Sequence, residues 1–207
     1  MFKAVLDTLI CGGPVMVPMV AVSLTAWVLI IEKYFLLKKE NTNPNKFSDD
    51  IICLLKNKKK KQAQDLCLSD GKIIPSAALT ILRSGGGDKQ KLLNKMSQVF
   101  HEQYPPLEKN LPVIAVLGQI APLLGLLGTV GGMISVFSVI KLHGAGDPQL
   151  LAKGISEALL STQAGLFVAI PILFLHSYLS GKTDDIMNGL EKSMMKIINF
   201  ISEGKNE

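Results

Sequence analysis

The chain has 207 residues, 48% of them hydrophobic but only 6% aromatic, with a net charge of +5 and a mean hydropathy of +0.33. Its apolar residues gather in three uncharged runs, 12–31, 110–140 and 158–180, which excludes an ordinary soluble domain and reads as three membrane-spanning helices. Cys11, Cys53 and Cys67 show no CxxC and no Cys/His ligand spacing, so neither a disulfide framework nor a metal site or cofactor is expected.

The first run is too long for the apolar core of a cleaved signal peptide, and no A-x-A-like site follows it. "LICGG" around Cys11 is a poor lipoprotein site, because the long apolar stretch follows the cysteine instead of preceding it. The segment after this span is basic: fourteen of the 22 Lys and Arg lie between residues 38 and 109. Positive segments stay on the cytoplasmic side. The expected topology is therefore an outside N-terminus, an inside 38–110 region, an outside 141–154 loop and an inside C-terminus, where Lys182, Lys192, Lys196 and Lys205 agree. "KNKKKK", residues 56–61, reads as an anchor beside anionic lipid or a solvated loop, not a nucleic-acid patch.

The basic region has helical patterning of its own. "FSDDIICLLKN" places Phe47, Ile51, Leu54 and Leu55 on one face, with Ser48 as candidate cap and Asp49 and Asp50 in the first turn. "DKQKLLNKMSQVF" does the same with Leu92, Leu93, Met96, Val99 and Phe100. "SGGGDK", residues 84–89, is expected to break one helix from the next.

The second span holds "APLLGLLGTVGGM", although a glycine costs about 1 kcal/mol in a helix interior relative to alanine. Lipid tails are as apolar as leucine, so membrane helices associate through close approach at small residues and through polar bonds across helices. Gly118, Pro122, Gly125, Thr129 and Gly132 fall on one face, and Gly128 with Gly132 forms a GxxxG pair on an adjacent one. The third span repeats this with Ala158, Thr162, Gly165 and Ala169, beside a stripe of Glu157, Ser161, Ala164 and Val168. At 1.5 Å per residue, Thr129 lies roughly 16 Å from the outer end of its span and Thr162 roughly 12 Å from that of its own, so the two are expected at similar depth. Glu157 enters about one turn above Thr162, where a carboxylate normally faces a bundle interior or a wet cavity. These residues leave two readings open: helix packing only, or a bundle lining a polar path.

Beyond the third span, Ile186, Leu190, Met194, Ile197 and Ile201 recur at helical spacing, so that helix is expected to continue into the cytoplasm. No strand-like alternation of any length occurs. The fold class is an all-α membrane protein: three transmembrane helices with long cytoplasmic helical extensions. Its parts are 1–37 (outside N-terminus and first span), 38–110 (cytoplasmic helical region), 111–182 (second and third spans) and 183–207 (cytoplasmic C-terminal helix). No nucleophile–base arrangement, phosphate-binding motif or metal spacing points to an enzyme; His101, His143 and His176 are far apart in sequence.

"GGPVMVPMVAVSLTAWVLIIEKYFLLKK" (12–39), "APLLGLLGTVGGMISVF" (121–137) and "GISEALLSTQAGLFVAIP" (154–171) resemble the three spans of the ExbB/TolQ branch of the MotA/TolQ/ExbB proton-channel family, in order and around a large cytoplasmic loop. MotA-like stators are longer and have four spans. The resemblance implies a pentamer in the bacterial inner membrane. That pentamer would enclose an ExbD-like or TolR-like single-span partner whose aspartate carries protons, and would drive a TonB-like or TolA-like protein acting on the outer membrane. By position, Thr129 and Thr162 match pore-facing threonines and Glu157 matches the glutamate of the third span. Gly131 and Gln163 depart from the commonest pattern. The expected function is an ExbB-like proton-channel subunit; a TolQ-like subunit of the Tol-Pal system and a passive membrane scaffold are the alternatives.

Overall fold

The computed structural model describes residues 13–40, 42–84, 89–143 and 148–203; Cys11 and most of the 84–89 glycine segment lie outside them. Among these residues the secondary structure is all helical. The helices are α1 (Met16–Lys39), α2 (Pro44–Lys56), α3 (Lys60–Asp70), α4 (Ile73–Arg83), α5 (Lys89–Glu108), α6 (Leu111–His143) and α7 (Pro148–Glu203). Three are long and apolar enough to cross a membrane. With 56 residues, α7 is about 84 Å long, far more than the ~30 Å of a hydrocarbon core, so most of it must lie outside any bilayer it crosses. The continuation expected from the 3.6-residue recurrence is thus one unbroken helix. Two compact units are present: one of residues up to Lys33 with Asn110–Tyr178, the other of Tyr34–Lys109 with Leu179 onward.

In the first unit, α1 buries Met16, Met19, Ala26 and Ile30 on one stripe, a recurrence of three, seven and four residues that marks a single helix face. Its other faces leave Val17, Leu24, Val28 and Ile31 more than half exposed. α6 and α7 do likewise with Leu123, Leu126, Phe137, Leu159, Phe167 and Phe174. So much exposed apolar surface suits lipid or other subunits rather than water.

In the second unit, α2 packs on α3, α3 on α4 and α4 on α5. Buried here are Phe47 and Ile51 of α2, Ala63 and Cys67 of α3, Ala77, Ala78 and Ile81 of α4, and Leu92, Met96 and Val99 of α5. The end of α7 adds Ile186, Leu190, Met194 and Ile197, as its periodicity predicts, while Ile201 is half-buried. Ser48 does not cap α2. The helix starts four residues earlier at Pro44, whose fixed φ and missing N–H suit a first turn. Asn43 is the cap, its side chain accepting from Lys46 N. Ser48 is fully buried and donates to Asn45 O at 2.9 Å. Gly71 ends α3 in the left-handed region at φ +54°, where a Cβ is disfavoured. At the start of α4, the Glu40 carboxylate accepts from Ile73 N at 2.9 Å.

Candidate functional site

Two antiparallel stripes of small residues meet inside the first unit. α6 buries Gly118, Ala121, Gly125, Gly128 and Gly132; α7 buries Gly154, Ala158, Ser161, Gly165 and Ala169. Spacings of three and four residues are those of a coiled-coil seam, here occupied by the smallest side chains. This explains the glycines. A Cβ on Gly125 would stand 3.0 Å from Ser161 O and from Thr162 Cα; one on Gly165 would stand 2.7 Å from Ala121 O. A Cβ on Gly132 would stand 2.8 Å from Ala158 Cβ, and one on Gly128 would overlap the Ser161 hydroxyl. Gly118 faces Leu173 and Ile172, while Gly131 has nothing within 4 Å. Backbone meets backbone along this seam, and the intrinsic cost of the glycines is offset by close approach. These contacts lie within one chain.

The actual seam runs through Ala121, Gly128 and Ser161. Pro122, Thr129 and Thr162, which the sequence places at its centre, are half-buried on its flank. The difference is one position per turn. A face drawn at offsets of four, seven and eleven residues shares Gly118, Gly125 and Gly132 with the seam and puts Pro122 and Thr129 where the seam has Ala121 and Gly128.

Three hydroxyls, those of Ser161, Thr162 and Thr129, lie on or beside this seam. Ser161 is fully buried; its hydroxyl donates to Ala158 O at 2.8 Å and lies 3.4 Å from Gly125 O. Thr162 Oγ1 donates across to Gly125 O at 3.1 Å. A hydroxyl has one hydrogen to give, so the shorter bond holds the Ser161 proton on α7 and Thr162 supplies the bond between helices. Thr129 Oγ1 donates to Leu126 O of its own helix at 2.7 Å. Since Gly125 lies opposite Thr162, Thr129 sits about one turn, ~6 Å, from that level. The threonines are therefore offset, not level, and no hydrogen bond joins them.

Glu157 is half-buried, on the Thr129 side of Thr162, with its carboxylate against Gly13 at the start of α1. The exposed Gln163 borders a separate open groove of about 450 Å³ along α7, lined by Ala152, Ile155, Ser156, Leu159 and Leu160. The sequence pattern puts Ser161 in a neighbouring stripe, beside Glu157. Its spacing of three from Ala158 and four from Gly165 was the available signal that it belongs to the seam.

The family model described as the MotA/TolQ/ExbB proton channel family matches residues 69–192, which takes in the glycine seam and all three polar residues. The chain belongs to this family. It is 27% identical over 198 residues to an ExbB homolog named for biopolymer transport from Methanothermobacter thermautotrophicus, covering 92% of this chain and 68% of that one. It is 32% identical over 94 residues to the Tol-Pal system protein TolQ of Haemophilus influenzae, covering 45% of this chain and 41% of that protein. Among solved structures, C. jejuni MotAB superposes with a TM-score of 0.67 at 18% identity, over 90% of this chain and 75% of that one, a likeness of fold. Membership of the family makes this a multi-pass membrane protein of a proton-channel group rather than of an enzyme group.

Proposed function

We propose that the chain is the proton-channel subunit of an inner-membrane energy-transducing motor of the ExbB type. The observation that carries this reading is the polar set Thr129, Thr162 and Glu157, half-buried beside a glycine seam in a proton-channel family member. A carboxylate and hydroxyls are costly among apolar helices, and such groups commonly mark ion paths. In this reading the subunit forms a pentamer around a single-span partner of ExbD or TolR type. The partner's aspartate takes up a proton outside, turns neutral, and releases the proton inside. The neutral acid crosses the apolar wall far more cheaply than the carboxylate. The hydroxyls of Thr129 and Thr162 hold water or orient that acid, since each can both donate and accept. A TonB-like protein is the expected recipient of the work. The N-terminus lies on the periplasmic side and the C-terminus in the cytoplasm, as the Lys and Arg distribution favours.

The similarity to H. influenzae TolQ favours a second reading, a TolQ-like subunit acting with a TolA-like protein. Proteoliposomes holding the chain with an ExbD-like or a TolR-like partner and a pH-sensitive dye test both. Proton flux that depends on the partner, with loss in T129V and T162V complexes of normal size, is the expected result. Flux that is absent with either partner would leave a passive scaffold. Cysteine labelling of residue 144 from the cytoplasm, or of residue 60 from the periplasm, would overturn the topology.

A further inference from the structure

The segment "GPVM", residues 13–16, that opens the first span has a place in the structure that the channel reading does not use. Gly13 adopts φ +75°, in the left-handed region that glycine enters without a Cβ penalty. The turn Gly13–Pro14–Val15 then starts α1, with Met16 N donating to Gly13 O at 3.1 Å and Val17 N to Pro14 O at 3.4 Å. Directly against Gly13 lies the carboxyl end of Glu157 on α7. A Cβ at Gly13 would stand 3.0 Å from Glu157 Cδ and 3.4 Å from Cγ, and would overlap Oε1 outright. Glu157 has no hydrogen-bond or ion-pair partner among the described residues. The backbone of Gly13 is therefore what its carboxylate rests on, in a half-buried position.

We propose that Gly13 is a positioning residue for Glu157: the bare Cα at the start of α1 leaves the space in which the Glu157 carboxyl is seated and shielded on one side. Glycine serves here twice, once for the backbone and once for the carboxyl. The contact is selective in what it controls. A glutamate end is flexible, so a side chain at residue 13 swings the carboxyl aside instead of prising α1 from α7. That Glu157 belongs to a proton path is the reading given above; the seating of its carboxyl by Gly13 can be tested without it.

The test uses the full-length protein, reconstituted with its single-span partner. A membrane-permeant carbodiimide adds the carboxyl O–H of Glu157 across its C=N bond, and peptide mass spectrometry reads the adduct. Gly13→Ala is expected to raise the rate of adduct formation at Glu157 several-fold, with the oligomer unchanged. Gly13→Asn separates backbone from side chain, because asparagine tolerates the left-handed region but carries a Cβ. It should raise labelling as alanine does. Glu157→Asp draws the carboxyl back by one methylene, so G13A should alter proton flux less in an E157D background than in the wild type. Equal labelling of wild type, G13A and G13N, or flux changes that simply multiply in G13A/E157D, would overturn the proposal. Absence of flux from the wild-type complex would instead remove the channel reading and leave the labelling comparison standing.

Discussion

The Thr162 hydroxyl donates to the Gly125 carbonyl at 3.1 Å, where the backbones of α6 and α7 come close. Thr129, which looks equivalent in sequence, donates to Leu126 O of its own helix. The two threonines thus differ in what their hydroxyls hold: one joins two helices, the other stays within its own.

Thr162→Val removes the bond between helices, and Thr129→Val removes one that never left α6. Double-mutant values for such bonds between membrane helices average about 0.6 kcal/mol. T162V should lose roughly that much stability, T162S should recover it, and T129V should stay near wild type. Unfolding free energies measured in bicelles check this. A cost for T129V as large as that for T162V would mean its bond reaches beyond α6.

The glycine seam makes a sharper distinction. A leucine at Gly165 drives a side chain into the Ala121 carbonyl, and one at Gly125 into the Thr162 backbone. Neither obstacle can rotate away. Both variants should lose the folded monomer, not merely the oligomer, because these contacts lie within one chain. Gly131 has open space around it, so G131A should be tolerated and gain up to about 1 kcal/mol from helix propensity. Thermal melts in detergent, with monomer helicity followed by circular dichroism, distinguish the three. A folded monomer in G165L would remove the seam argument.

The three apolar helices and the seam glycines were legible because each rests on a period that needs no tertiary information. Charge-free length marks the spans, and residues such as Gly125 and Gly165 occur where a helix has no local reason for glycine. The Phe47/Ile51 and Leu92/Met96/Val99 faces were legible for the same reason. What stayed hidden depended on a partner segment. Ser161 and Thr162 are adjacent in sequence, and only the approach of Gly125 decides which hydroxyl crosses. Gly13 and Glu157 are distant in the chain, so nothing local connects them. The cap of α2 was misplaced for a different reason: the apolar run starts at Phe47, but the helix begins at the Asn43–Pro44 signal before it.

Glu40 supplies a cap from a distance. Lys72 precedes α4 and offers no side-chain cap; the Glu40 carboxylate, 33 residues away, accepts from Ile73 N instead. A cap of this kind contributes about 1 kcal/mol, and a negative charge at a helix N-terminus is favourable in itself. Glu40→Ala should therefore fray the first turn of α4, with faster hydrogen exchange at the Ile73 amide. Glu40→Gln keeps an acceptor and should lie between. Unchanged exchange at Ile73 in E40A would show that the bond does not hold the helix end.

Cys67 and Cys53 should differ in reactivity and in their effect on stability with pH. Cys53 is exposed, while Cys67 is buried against the α3–α4 packing. Burial disfavours the thiolate and pushes the Cys67 thiol up from 9.0 to about 11. The thiolate is the reacting species, so at neutral pH iodoacetamide should modify Cys53 and spare Cys67 in the folded protein. The sign of the stability effect follows from proton counts. Below pH 9 both folded and unfolded chains keep the Cys67 proton, and stability does not depend on it. Between the two values the unfolded chain has released the proton and the folded chain has not, so stability falls with rising pH by at most about 1.4 kcal/mol per unit. Above about 11 the fall from this group ends. Lysines and tyrosines titrate in the same range, so the quantity to measure is the difference between wild type and Cys67→Ala in denaturant melts from pH 7 to pH 11. That difference should be flat up to pH 9 and then decline. A flat difference throughout, or alkylation of Cys67 as fast as Cys53 in the native protein, would mean that the thiol is open to water and the packing of α3 is looser than described.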